Sequence, residues 1–233
     1  MAWRGEGAQH QGARPYQEDS WALRTLADGA LLAVLADGMG GHAGGAVASR
    51  LAVGAFLLAM ETGGSLRDAL DAANGAVGEA ARRDPALDNM GTTLVAAVVQ
   101  GEEVRWISVG DSPFYLATQG QLERLNADHS MVPQIEALAE RGIITPEEAA
   151  RHPGRHTLRE AVMGNPLTLI DEGRRGLEPG DRLLVCSDGV ETLEPAEITR
   201  QAPEPVQALI DAVLAAGAAG QDNVTVIRLE REE

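Results

Sequence analysis

Residues 31–46 read LLAVLADGMGGHAGGA, and the rest of the chain is organised around them. Six apolar or small residues lead into Asp37, and glycines follow at 38, 40, 41, 44 and 45. A short apolar run stopped by glycine has the pattern of a buried strand leaving its sheet. Glycine lets the backbone turn sharply or approach a ligand closely. An Asp at that corner can present its carboxylate to an ion. Apolar residues resume at Val47, Leu51, Val53, Phe56 and Leu57, so a helix follows. The unit is a strand, an acidic glycine corner and a helix.

Outward from this unit, residues 21–26 form a strand that turns at Asp28-Gly29 into the 31–36 strand, a hairpin signal. Residues 47–61 and 65–83 are Ala-rich with helical periodicity, and Ser65 is placed to cap the second. Strands are expected at 94–99, 104–109, 114–118 and 121–125, separated by short turns that argue for antiparallel pairing. A helix is expected over 131–142, and Thr145-Pro146 opens another. Residues 152–165 are polar, irregular and rich in His, Arg and Gly, as in a mobile loop beside a site. Strands at 167–174 and 181–186 follow. A helix over 205–216, with Pro-Glu-Pro ahead of it, precedes the last strand from Val224. The pattern is a single α+β domain over residues 1–233, mostly antiparallel strands with two helical pairs outside them.

Composition narrows the function. The 233 residues carry a formal net charge of −16, and all 19 basic residues are Arg. Such a surface disfavours non-specific binding to nucleic acid or anionic membrane. A phosphate ligand would then need local positive charge, from a metal or a placed Arg. The single Cys186 excludes an intrachain disulfide and suits a reducing compartment. No uninterrupted apolar run reaches about 18 residues, and the N-terminus lacks a signal-peptide core. A cytoplasmic monomer is expected.

Carboxylates recur in one local context. Asp37-Gly38, Asp111 after Gly110, and Asp188-Gly189 each follow a β run, while Asp222-Asn223 begins one. Glu18 and Asp19 stand just before the first expected strand. If the strands share a sandwich, these carboxylates meet on one rim, where like charges need a cation to neutralise them. Hard oxygen ligands select Mg²⁺ or Mn²⁺ over zinc. A carboxylate bridging two such ions holds them about 3.5–4 Å apart, and water between them becomes a nucleophile near neutral pH. Arg14, five residues before Asp19, suits bidentate phosphate binding. Metal-activated water with a phosphate clamp amounts to phosphate-ester hydrolysis.

RPYQEDS, LADGMGG, GTT, VGDS, DHS, CSDG and DNVTV occur in the order and spacing of the metal-dependent type 2C protein phosphatases. The resemblance runs from about residue 14 to 226 and is nearest to the compact bacterial members. It implies a four-layer αββα fold, a central antiparallel β-sandwich flanked by pairs of helices. It implies a protein serine/threonine phosphatase that uses a metal-activated bridging water and opposes a cognate Ser/Thr kinase. By that resemblance Asp37 matches the metal-bridging Asp, and Gly38 the glycine whose carbonyl joins the coordination. Asp188 and Asp222 match the remaining ligands of the first Mn²⁺ or Mg²⁺. Asp19, with Glu18 beside it, matches the acidic pair of the second ion, partly through water. Asp111 matches the ligand of a third, weaker ion seen in bacterial relatives. Arg14 matches the phosphate-binding arginine, and residues 131–165 the flap.

The chain also departs from that family's pattern. Gln17 stands where Asn is usual before the acidic pair, and Pro113 where Arg usually follows GDS. His156 falls where bacterial relatives offer a flap Ser to the third ion. Met39 takes the place of the general-acid His of animal relatives, and His42 is not assigned that role. Two rival readings are a non-catalytic phosphoprotein-binding regulator on the same fold and a phosphatase of small metabolites. Residues 38–43 also fit a loose dinucleotide fingerprint, but Asp37 would oppose the pyrophosphate and the strand–helix alternation of a parallel sheet is missing. That reading is rejected.

Overall fold

The computed structural model describes residues 3–40, 44–118, 120–217 and 219–231. His42 lies outside the described residues. The expected strand at Leu31–Ala36 (β3) is present and buried along its whole length. Its side chains alternate between two cores. Leu31, Ala33 and Leu35 point to one, and Leu32, Val34 and Ala36 to the other. A strand that is apolar on both faces has to lie between two layers, and this alternation assembles the molecule.

β3 belongs to a five-stranded sheet with Ser20–Thr25 (β2), Leu94–Gln100 (β6), Glu103–Val109 (β7) and Asp171–Gly176 (β10), in the order β10-β7-β6-β3-β2. A second sheet holds Trp3–His10 (β1), Phe114–Thr118 (β8), Gln121–Arg124 (β9), Arg182–Cys186 (β11) and Val224–Arg231 (β12), in the order β1-β12-β11-β8-β9. The pairings within both sheets are antiparallel. Between the sheets lies a core of Leu35, Val95, Trp106, Phe114, Leu183 and Ile227, among others. Gly38–Met39 (β4) and Gly91–Thr92 (β5) form a small ribbon at one end.

Gly44–Glu61 (α1) and Leu66–Arg83 (α2) cover the outer face of the first sheet, where Ala48, Ala52, Phe56, Leu70 and Val77 are buried. Ser65 caps α2 in a reciprocal capping box with Asp68, which contributes roughly 1 kcal/mol to the helix. α1 has the length and mean hydropathy (1.3) of a bilayer-crossing helix, but its buried face is spent on this packing. On the far side, Pro195–Gln201 (α5) and Val206–Ala215 (α6) bury Ile198, Leu209, Ile210 and Val213 against Leu184, Cys186 and Val226. Helices, two sheets and helices thus form the expected four-layer αββα sandwich. Val132–Glu140 (α3) and Pro146–Ala150 (α4) sit in the excursion between β9 and β10.

Four details correct the sequence expectations. The strand foreseen at 167–174 begins only at Asp171, because the Thr168 and Leu169 amides donate to the Glu160 carboxylate instead of a ladder. Strand β1 and helix α5 had not been foreseen. At α6 the Pro-Glu-Pro signal makes no side-chain cap; Glu6 Oε1 from β1 accepts the Val206 amide instead.

Candidate metal centre

Three strand exits and one strand entrance converge at the end of the sandwich that carries the β4–β5 ribbon. Asp37 leaves β3, Asp111 follows β7, Asp188 opens a 3-10 turn (Asp188–Thr192) after β11, and Asp222 precedes β12. The Asp37 corner is held by the GTT motif. Asp37 N–H donates to Thr93 Oγ1 (3.0 Å), and its carbonyl accepts from Thr93 N–H (2.9 Å) and Thr92 Oγ1 (2.8 Å). The first turn of α1 nests against this corner. A Cβ at Gly38 would lie 2.2 Å from the Gly45 carbonyl, and one at Gly45 would lie 2.3 Å from Glu18 Oε1. Here glycine is needed for close approach.

A cleft of about 490 Å³ opens at this point. Arg14, Glu18, Asp37, Gly38, Asp111, Asp188 and Asp222 all line it, and His156, Thr157 and Leu158 form the wall contributed by the 131–165 excursion. Asp19, the eighth candidate, does not line the cleft. It is buried, and its Oδ2 accepts from Ser187 Oγ (2.9 Å) and Thr225 Oγ1 (2.6 Å), while Oδ1 has no partner. Arg14 pairs with Asp222 (2.5 Å), not with its neighbour Glu18.

Two supports lay hidden in the motifs. Asn223 Oδ1 accepts the Glu18 amide (2.7 Å), and its Nδ2 donates to the Gln11 and Tyr16 carbonyls. One side chain therefore fixes the loop that brings Arg14 and Glu18 to the cleft. His129 supports Gly110 from both sides: its Nδ1 accepts the Gly110 amide (3.2 Å), and its own amide donates to the Gly110 carbonyl (3.1 Å). The DNV and DHS triplets are the only sequence signals for these roles.

The electrostatics agree with the crowding. Asp37 is pushed well above the usual carboxylate range by burial, then by Asp19, Asp188, Asp111 and Asp222. Burial, with Asp111 and Asp222 next, raises Asp188 to about 8. Asp19 is raised to about 6 by burial, against the two hydroxyls that bond it. Asp111 is also raised to about 6, by burial and then Asp128. Glu18 is raised by burial too, and its buried Oε1 lacks a partner. Among the described residues no three His, Cys, Asp or Glu side chains already form a finished metal cage. Arg14 occupies one of the carboxylates, Asp222. The donor set nonetheless fits hard divalent ions. It is built of oxygens, it has buried oxygens without partners, and it lacks enough positive charge of its own.

The model of protein phosphatase 2C matches residues 5–221. The chain belongs to the protein phosphatase 2C family. This is a family of metal-dependent hydrolases. The serine/threonine protein phosphatase PstP of Mycobacterium tuberculosis is 40% identical over 214 residues, which is 85% of this phosphatase 2C chain and 40% of PstP. The chain thus spans about two fifths of that relative's length. The serine/threonine phosphatase Stp of Listeria monocytogenes is 32% identical over 236 residues, 94% of this chain and 92% of Stp. A crystal structure of the Mycobacterium tuberculosis PstP/Ppp superposes with a TM-score of 0.85 at 34% identity, covering 100% of both chains. The catalytic domain of PstP in complex with two manganese ions gives 0.81 at 32% identity, covering 98% of this chain and 97% of that one. This family and this fold are the ones the seven motifs led us to expect.

Proposed function

We propose that this phosphatase 2C chain forms one catalytic domain, with residues 131–165 as its flap, and hydrolyses phosphoserine and phosphothreonine in proteins. The observation that carries the reading is the convergence of Asp37, Asp111, Asp188 and Asp222 on one cleft with Arg14 at its edge. Asp37, with the Gly38 carbonyl, Asp188 and Asp222 would hold the core Mn²⁺ or Mg²⁺. Glu18 and Asp19 would serve the second ion, and Asp111 a third. Bound divalent ions supply Lewis acidity and lower the proton affinity of water, which is the chemistry phosphate esters need. The manganese complex of the PstP catalytic domain supports this choice of ion.

The chain's own residues do the rest. Arg14 presents a planar fork to phosphate oxygens, which requires it to leave Asp222. Thr92 and Thr93 keep the Asp37 carboxylate aimed while the substrate changes charge. Ser187 and Thr225 hold Asp19 as a fixed anion behind the cleft. The 156–158 wall would close one side of the site against the bound phosphate. Cys186 is no nucleophile: it is buried in the outer core, and burial pushes its thiol far up. That reduced thiol also suits a cytoplasmic setting. A monomer that reverses the work of a Ser/Thr kinase completes the reading.

The test is hydrolysis of an aryl phosphate and a phosphopeptide, with Mn²⁺ and with EDTA. Asp37→Ala or Asp188→Asn should each remove metal-dependent turnover while circular dichroism stays native. Full activity in either variant sinks the proposal. Phosphopeptide binding without turnover in the parent protein would favour a non-catalytic regulator, and faster turnover of sugar phosphates than of phosphopeptides a metabolite phosphatase.

A further inference from the structure

Residues 151–159, RHPGRHTLR, hold three arginines and two histidines and no carboxylate, in a chain whose net charge is −16. This basic run is not remote from the cleft, because its second half is the cleft wall at His156, Thr157 and Leu158. Hydrogen bonds fix it there. The Met131 amide donates to the Thr157 carbonyl (3.0 Å), and the Arg159 amide to the His129 carbonyl (2.8 Å). His129 in turn bonds Gly110, the neighbour of Asp111. The basic turn is therefore one hydrogen-bonded layer from the carboxylate cluster.

Three nearby acids are already engaged. Glu136 pairs with Arg155 (2.8 Å). Glu148 closes the capping box of α4 with Thr145. Glu160 accepts the Thr168 and Leu169 amides and the Thr168 hydroxyl. Arg159 lies against the side-chain amide of Gln134. Among the described residues no carboxylate pairs with Arg151 or Arg159, and both are exposed with His152 and His156. An acidic protein repels acidic peptides at long range, so exposed arginines without a carboxylate partner, on the run that supplies the wall of its site, select for them.

We propose that residues 151–159 are a docking element for substrate, and that Arg151 and Arg159 give the enzyme a preference for phosphopeptides with acidic residues beside the phosphorylated one. The inference rests on the phosphatase reading and deepens it by naming the substrate class. Its test uses two phosphothreonine peptides that differ only in having Glu-rich or Ala-rich flanks, together with an aryl phosphate. At low ionic strength the parent protein should favour the acidic peptide in kcat/KM by roughly five- to tenfold, as two exposed charge contacts allow. The preference should shrink as salt is added. In Arg151→Gln/Arg159→Gln it should collapse, through loss on the acidic peptide alone, while the aryl phosphate, which has no flanks, sets the common baseline. Equal kcat/KM on both peptides in the parent, or an undiminished preference in the double variant, overturns the docking role with the phosphatase reading intact. No turnover of any of the three substrates by the parent overturns both.

Discussion

Burial and mutual repulsion make the cleft carboxyls hold protons more tightly in the folded chain than in the unfolded one, and this has a thermodynamic sign. A carboxyl raised by folding contributes least when it is ionised, so its share of stability falls as pH rises from its unfolded value to its folded one. Asp19 and Asp111 complete that loss near about 6, and Asp188 near about 8, with Asp37 displaced in the same direction. His129 works the other way: burial lowers it from 6.5, so stability is regained as pH rises toward that value. Between pH 6.5 and 8 only the carboxyls act. Metal-free protein should therefore lose stability across that window, on the order of 1–2 kcal/mol, which scanning calorimetry in EDTA would read as a fall of several degrees. A transition temperature that is flat or rising there would mean the cluster is not strained. Seven of the eight candidate residues line one cleft, and four of them, Asp37, Asp111, Asp188 and Asp222, could be picked out because each sits where a strand pattern stops or starts at Asp. The burial of Asp19 away from the cleft was not legible, since its partners Ser187 and Thr225 lie 168 and 206 residues away in sequence.

At the scale of elements, the flap is tied to the outer helices as well as to the cleft. Thr92 and Val162 exchange backbone hydrogen bonds (3.1 and 2.9 Å), and Thr92 also bonds the Asp37 carbonyl. One turn further on, Asn74 of α2 accepts the Met163 and Gly164 amides at Oδ1 and donates to the Asn165 carbonyl (2.7 Å). Replacing Asn74 by Ala leaves two amides and a carbonyl to find water, at a cost of about 1–3 kcal/mol. Hydrogen exchange should then quicken over residues 158–165 with the sandwich strands unchanged; no local change would mean that the helix does not anchor the flap. No motif announces Asn74, which is a polar residue on a helix. Strand β1 was illegible for a related reason. It reads WRGEGAQH, without apolar alternation, and at Gly7 a Cβ would meet the Trp21 ring at 2.6 Å. The strand gives up its own side chains to make room for its neighbour's. The central strands carry their apolar residues themselves, so their positions were plain.

For the whole molecule, the charge of −16 and the carboxylate rim are separate contributions that a single experiment can resolve. A diffuse negative surface gains stability from any salt, because screening relaxes its repulsion whatever the cation. A built site gains from a divalent ion by mass action, as RT ln(1 + [L]/Kd), which is about 2.7 kcal/mol at a hundred times Kd. The two differ in ion specificity and in their dependence on Asp188, which lies inside the cluster and contributes only one unit to the net charge. Mn²⁺ or Mg²⁺ should therefore raise the transition temperature by several degrees beyond NaCl of equal ionic strength. In Asp188→Asn that excess should vanish while the response to NaCl persists. If NaCl alone reproduced the whole shift, the cations would be acting on the acidic surface, and the rim would be only its densest part.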